Sequence, residues 1–221
     1  MSEEVDNNND QQTNGLLTNL NNYLAAGVHI GVKYRTKFLA RFIYKIRGDG
    51  LAIMNIQEID SRIASAASLL SDYNPEDIIV VGKKDASRKP LNVFARVVGC
   101  RVTSNRYYPG TLTNPSFRGY SEAKLVLSVD PWGDRNSIKD ALDTNATVIS
   151  LANTNNTTQN IDLVVPCNNK GKKSLALIFY LLAREYCKAR NIEFDLKIGD
   201  FLDKERDGER KQRSRSFAKT N

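Results

Sequence analysis

The strongest constraint on this chain is a run with no polar position: Ile78-Ile79-Val80-Val81, four β-branched apolar residues in succession. A strand with one face in water alternates apolar and polar residues. A strand that does not alternate must be covered on both faces, as in a parallel sheet held between layers of helices. The flanking segments repeat that demand. Leu51-Ala52-Ile53-Met54-Asn55-Ile56 reads as a short buried strand. The helix after it carries Ile59, Ile63, Ala66, Ala67 and Leu70 on one face until Asn74-Pro75 stops it. After Val81 the spacing predicts a helix over Leu91 to Val98 closed by Gly99, then a strand from Cys100 to Ser104. Strand Leu125 to Val129, helix Arg135 to Leu142, strands Val148 to Leu151 and Leu163 to Val165, and a long helix from Lys172 to Arg190 follow. Strands alternating with helices specify a three-layer, doubly wound α/β fold with a mainly parallel sheet.

One link breaks the alternation. Where a crossover helix is due, the chain instead carries Tyr107-Tyr108-Pro109-Gly110-Thr111-Leu112-Thr113-Asn114-Pro115-Ser116-Phe117-Arg118-Gly119. Two prolines and two glycines deny it helical continuity, and its Thr and Asn side chains favour local turns. It holds no His, Cys, Asp or Glu, so neither a general base nor a metal ligand set. It offers a stiff, aromatic-tipped contact surface flanked by Arg106 and Arg118.

With 221 residues and 41% hydrophobic content, a single α/β domain over residues 16–203 is the simplest organisation. Residues 1–15, acidic and rich in Asn and Gln, are expected to be disordered, and residues 204–221 form a charge-rich basic tail. Leu16, Leu17, Leu20, Tyr23 and Leu24 recur at helical spacing between the first segment and the Gly27–Gly31 turn. The net charge of +7 is uneven: −4 in residues 1–20 and +4 in residues 204–221 leave +7 for the body. A basic body points to a polyanionic partner. Cys100, Cys167 and Cys187 are odd in number and widely spaced, which suits small core residues in a reducing compartment. With no apolar leader and no run long enough to span a bilayer, the expectation is a soluble, cytoplasmic chain with no membrane partner.

Catalytic and cofactor signatures are weak. No Gly-x-Gly-x-x-Gly follows a strand, and Gly171-Lys172-Lys173-Ser174 lacks both the upstream glycine and the Gly-Lys-Ser order of a phosphate loop. His29 is the only histidine, so no His pair or His/Cys metal set can be assembled, and its expected part is to tie down the Gly27–Gly31 turn. Asp49, Asp60, Asp130 and Asp162 fall where turns and N-caps account for them. The expectation is no enzyme, no cofactor, no metal and no small-molecule substrate. The competing class is a nucleotide- or phospho-ligand-binding enzyme on the same doubly wound sheet, favoured by the segment Lys170 to Ser174.

Cations are better organised. Lys33, Arg35, Lys37, Arg41, Lys45 and Arg47 run through a segment that also carries Tyr34, Phe38, Phe42 and Tyr44. Such alternation neutralises phosphates and offers rings for stacking, or makes an amphipathic helix with rings inside and bases in water; both roles are expected here. Lys83, Lys84, Arg88 and Lys89 follow one strand, and Lys170, Lys172 and Lys173 open the last helix. In a parallel sheet these clusters project from one carboxyl-end edge, with Arg106 and Arg118. With Tyr107, Tyr108 and the tail residues Arg210, Lys211, Arg213 and Arg215, they are the candidate RNA-binding groups.

Several strings then occur in a telling order: Ala26-Gly27-Val28-His29-Ile30-Gly31, Pro109-Gly110-Thr111-Leu112-Thr113-Asn114-Pro115, Val129-Asp130-Pro131, Asn153-Thr154-Asn155-Asn156, Pro166-Cys167-Asn168-Asn169-Lys170-Gly171 and Leu182-Ala183-Arg184-Glu185. From about Leu17 to Arg190 the chain resembles the family of small-subunit ribosomal protein two. The resemblance implies a flavodoxin-like sheet that docks on small-subunit rRNA and neighbouring ribosomal proteins between head and platform. It implies a structural role in assembly and translation, not as a homo-oligomer. Bacterial members insert a long helical hairpin after the Leu-Thr-Asn motif, for which this chain leaves no room. The archaeal/eukaryotic branch fits better, and the short basic tail favours the archaeal type.

Overall fold

A computed structural model of the chain describes residues 15–202, so the acidic N-terminal segment and the basic tail lie outside the described residues. In chain order the elements are α1 (Leu20–Ala26), a 3-10 turn (Leu39–Phe42), β1 (Ile43–Ile46), β2 (Ala52–Met54), α2 (Ile56–Ser71), β3 (Ile78–Val81), α3 (Asp85–Val98) and β4 (Arg101–Thr103). Then follow β5 (Leu125–Ser128), α4 (Arg135–Asp143), β6 (Thr147–Ala152), β7 (Leu163–Pro166) and α5 (Lys172–Ala189).

Five strands form one parallel sheet in the order β4-β3-β5-β6-β7, the strand order of flavodoxin-like folds. All four residues of β3 are buried, as their unbroken apolar run requires. Alternation still decides which layer each one meets. Ile78 and Val80 join the core formed with α2, α3 and α5, while Ile79 and Val81 face the opposite layer. Helix α5 buries eleven of its eighteen residues, so it is apolar nearly all round and serves as the central helix of its layer.

The opposite layer is thinner. Among the described residues only α4 is a full helix there, contributing Ile138 and Ala141. The Pro/Gly loop supplies the missing cover by burying Tyr107 and Leu112 against Ile79, Val81, Val126 and Val148. The 3-10 turn covers the far end, where Leu39 and Phe42 pack on Ala152 and Val164. No helix interrupts the path from β4 to β5, so the hairpin insertion is absent from this link.

Three local expectations are corrected. The segment from Lys33 to Arg47 is not an amphipathic helix: apart from one 3-10 turn it runs into β1, and Tyr34 and Tyr44 are exposed while Phe42 is buried. Ile43 to Ile46 reads with a period of two as well as with a helical one, and pairing decides between them. The Leu51–Ile56 strand is buried but belongs to a separate antiparallel ribbon, β1 with β2. Helix α3 starts six residues earlier than predicted, at Asp85, and carries Pro90 inside it. Pro90 lies near enough to the first turn that only one ladder bond is lost.

Candidate nucleic-acid interface

In a doubly wound sheet of this order, ligands collect beyond the carboxyl ends of the two strands that flank the reversal of chain direction, here β3 and β5. This crevice is filled by the protein's own side chains. Lys84 follows β3 and places Nζ 2.7 Å from Asp130 Oδ2, beyond the end of β5. The same ammonium lies 3.4 Å from the backbone oxygen and Oδ1 of Asn169, beyond the end of β7. Asp130 Oδ1 accepts from Asn156 Nδ2 at 2.8 Å. Asn169 Nδ2 donates to the carbonyls of Val129 and Leu151 and to Asn156 Oδ1, at 3.1–3.2 Å. Asp134 accepts from the backbone N–H of Lys83 and Asp130 and from Ser128 Oγ. Burial, with the Asp130 charge as a smaller contribution, pushes its carboxyl up to about 6 against those donors.

The motifs that carried the family resemblance meet in this network. Asn153 N–H donates to Asn156 Oδ1 at 2.7 Å. Thr154 Oγ1 accepts from Val32 N–H at 2.9 Å, and Asn168 Nδ2 donates to the Gly27 carbonyl at 3.1 Å. The backbone thereby ties the Gly27–Gly31 turn down, whereas His29 Nδ1 is buried without a partner. The expected structural role of the histidine ring is corrected: Asn168 and Thr154 perform it. Lys84 is corrected as well. It is a half-buried, ion-paired strut rather than a cation free for phosphate. Of the acids assigned to turns, Asp49 accepts from Leu51 N–H. Asp60 sits inside α2, where it accepts from Leu17 N–H and Tyr23 Oη.

The remaining cations surround this plugged crevice. Lys83, Arg88 and Lys89 are exposed on the β3–α3 connection and early α3, and Lys170, Lys172 and Lys173 are exposed at the start of α5. Helices α3 and α5 pack side by side, and the Lys84–Asn169 contact brings their leading loops together. Arg35 and Lys37 join the same edge, since Thr36 N–H donates to the Thr154 carbonyl beyond β6. Arg106, exposed, follows β4. Arg118 stands on the limb of the loop that returns to the amino end of β5, so the topology does not group it with these cations. Arg41 stacks its guanidinium on Phe38 at 3.7 Å, and Lys45 and Arg47 are exposed on and beside the β1–β2 ribbon. Arg47 lies 3.7 Å from Asp49; among the described residues the other exposed candidates form no ion pair.

Tyr107 does not present its ring. It is 5% exposed and donates its hydroxyl to Asp140 Oδ2 at 2.9 Å, and burial with that carboxylate pushes its ionisation up. The expectation that it stacks on a base is corrected, because the ring is part of the core. Tyr108, 62% exposed, remains available. Arg210, Lys211, Arg213 and Arg215 lie outside the described residues. The cysteines behave as core residues: Cys167 and Cys187 are buried, and burial pushes the Cys100 thiol up to about 12. Among the described residues no helix is long and apolar enough to cross a membrane.

Sequence reasoning missed Asp130, Asn156 and Asn169 as one constellation. Their signal was present as three short motifs, but nothing local says that residues 26 and 13 positions apart converge around a single lysine.

The profile of the ribosomal protein S2 family matches residues 23–121 and 118–189. The small ribosomal subunit protein uS2 of Methanococcus maripaludis strain C6 is 41% identical over 192 residues, 86% of this chain and 87% of the relative. That of Staphylothermus marinus is 46% identical over 177 residues, 80% of each chain. With its archaeal relatives, its parallel sheet and its interlocked Asp-Pro, Asn-Thr-Asn-Asn and Cys-Asn-Asn-Lys motifs, this chain belongs to the ribosomal protein S2 family.

Proposed function

We propose that the protein is a structural constituent of the small ribosomal subunit, docked on rRNA and neighbouring ribosomal proteins between head and platform. The observation that carries this reading is the ring of exposed cations around the carboxyl edge, which form no ion pair among the described residues. Lys172 and Lys173 occupy the first two positions of α5, where the helix end is itself positive and no acid in the first turn offsets them. That placement costs stability in the free protein and is offset when a phosphate arrives. Arg88, Lys89, Lys83, Lys170, Arg35, Lys37 and Arg106 extend the same field, and Tyr108 adds an exposed ring. Lys45, Arg47, Arg41 and Arg118 form outlying contacts, and Arg210, Lys211, Arg213 and Arg215 anchor the tail.

The role is non-catalytic. The crevice that would hold a nucleotide contains Lys84, Asp130 and Asn169 bonded to one another. Sucrose-gradient fractionation of a cell extract tests the proposal. The protein is expected to sediment with small subunits at moderate salt and to be soluble and cytoplasmic with them. Its absence from those fractions, or tight ATP or GTP binding by the pure protein, would overturn it.

A further inference from the structure

A groove of about 540 Å³ opens between α4 and the connection from β6 to β7, on the face where a crossover helix is missing. Its volume is in the range of small-ligand sites, roughly 300–1,000 Å³. Trp132, Arg135, Lys139, Leu142, Gln159 and Asn160 line it. None of them belongs to the cation clusters already assigned.

Trp132 is the chain's single tryptophan and is 71% exposed. Its backbone is nevertheless pinned: Trp132 N–H donates to Asp130 Oδ1 at 3.4 Å, and Asp134 N–H donates to the Asp130 carbonyl at 2.9 Å. The plugged crevice thus fixes the base of an aromatic platform whose ring stays in water. Arg135 opens α4 with no acid in the first turn, and Lys139 lies one turn on, on the same helix face. Neither cation has an ion-pair partner among the described residues. Asp143, at the last position of α4, is the one acid in the lining.

We propose that this groove is a binding site for an unpaired RNA nucleotide. Trp132 stacks on the base, Arg135 and Lys139 neutralise the phosphates on either side, and the amides of Gln159 and Asn160 meet base or ribose edges. Protein interfaces also favour Trp and Arg, but they are depleted in Lys at their centre, and a Lys139 without an acidic partner there calls for an anion. The proposal rests on the RNA-docking function above and gives it a second surface, on the α4 side of the sheet.

Because Trp132 is the sole tryptophan, its emission reports on this groove alone. Titration of the full chain with a single-stranded RNA hexamer is expected to quench that emission saturably, whereas a blunt RNA duplex leaves it unchanged. Arg135→Gln with Lys139→Gln should lower the log–log salt slope of hexamer binding by about two units. Trp132→Leu should weaken hexamer binding roughly 5- to 150-fold by gel shift, with unchanged circular dichroism as the folding control. Photo-cross-linking from Trp132 in purified subunits should recover RNA. An unquenched tryptophan, equal quenching by duplex, wild-type binding by the variants, or a cross-link to protein alone would overturn the proposal. Those results leave the docking function standing if wild-type protein still joins small subunits. Failure of wild-type protein to join subunits counts against the docking function, and the quenching of the free protein is read independently of it.

Discussion

Asp134 shows how a single residue can answer to the fold rather than to a ligand. It is 3% exposed, and burial raises its carboxyl from 3.8 to about 6. The native state therefore binds a proton at pH values where the unfolded chain has released it. Its stabilising contribution is fully present below about pH 3.8 and is lost as pH rises through about 6, amounting to about 3 kcal/mol over the two units. The ¹³C resonance of this carboxyl is expected to titrate with a midpoint near 6, and a midpoint below 4 would show that its hydrogen-bond donors outweigh burial. The stability of Asp134→Asn relative to wild type should rise by about 2–3 kcal/mol between about pH 4 and 7, since other groups cancel in the difference. Asp140 makes the opposite case. Asp140→Ala strips the buried Tyr107 hydroxyl and the Gly110 N–H of their acceptor and should cost about 2–4 kcal/mol in urea unfolding. Little of this was legible in the sequence. Lys84 reads there as one of four neighbouring cations, and only the carboxylate of the distant Asp130 makes it a strut. Tyr107 reads as the twin of Tyr108 until the 2.9 Å bond to Asp140 separates them.

The elements themselves were largely legible, because each long one advertised a single period. β3 and α5 follow from uninterrupted apolar content, and α2 from five apolar residues at helical spacing. The Pro/Gly loop was legible as a non-helix but not as a layer. Its prolines and glycines exclude regular structure, yet they say nothing of Leu112, which sits 3% exposed beneath it. Leu112→Ala should destabilise the free protein by about 2–5 kcal/mol, the usual cost of emptying a packed leucine site. A loop serving only to meet a partner would cost less than about 1 kcal/mol, so thermal unfolding distinguishes the two. Gly110 adds a backbone test. Its φ of +89° is one that an L side chain adopts with strain, so Gly110→Ala should cost about 1–2 kcal/mol without touching any cation. Gly82 belongs to the opposite edge of the same problem. A Cβ there would fall 2.5 Å from Leu91 Cδ1 and 2.9 Å from Val129 Cγ2, so the β3–α3 turn tolerates no side chain. The segment around Phe42 escaped sequence reading for a further reason: its apolar residues fit a helical period as well as an alternating one, and pairing with β2 decided the matter.

At the scale of the whole molecule, the sheet gathers cations that lie far apart in sequence, and among the described residues the fold gives them no ionic partner. Lys172 and Lys173 sit against the positive end of α5, each opposing the helix dipole by about 0.3–1 kcal/mol. A residue arrangement that lowers the stability of the free protein calls for a compensating function. The Arg88/Lys89/Lys172/Lys173 quadruple Ala variant turns that opposition into a measurement. The free protein should fold with an unchanged circular dichroism spectrum, and removing the two lysines from the helix end should raise its stability by up to about 1–2 kcal/mol. Association with small subunits should weaken in the same variant, and the log–log salt slope should flatten by about one unit for each phosphate that is no longer neutralised. The two changes run in opposite directions, so a general folding defect cannot imitate them. Unchanged affinity across the salt series would remove these four residues from the interface and leave the ring of charge as a device for solubility. A weakened affinity with the slope intact would mean that they act by shaping the helix ends rather than by meeting phosphate.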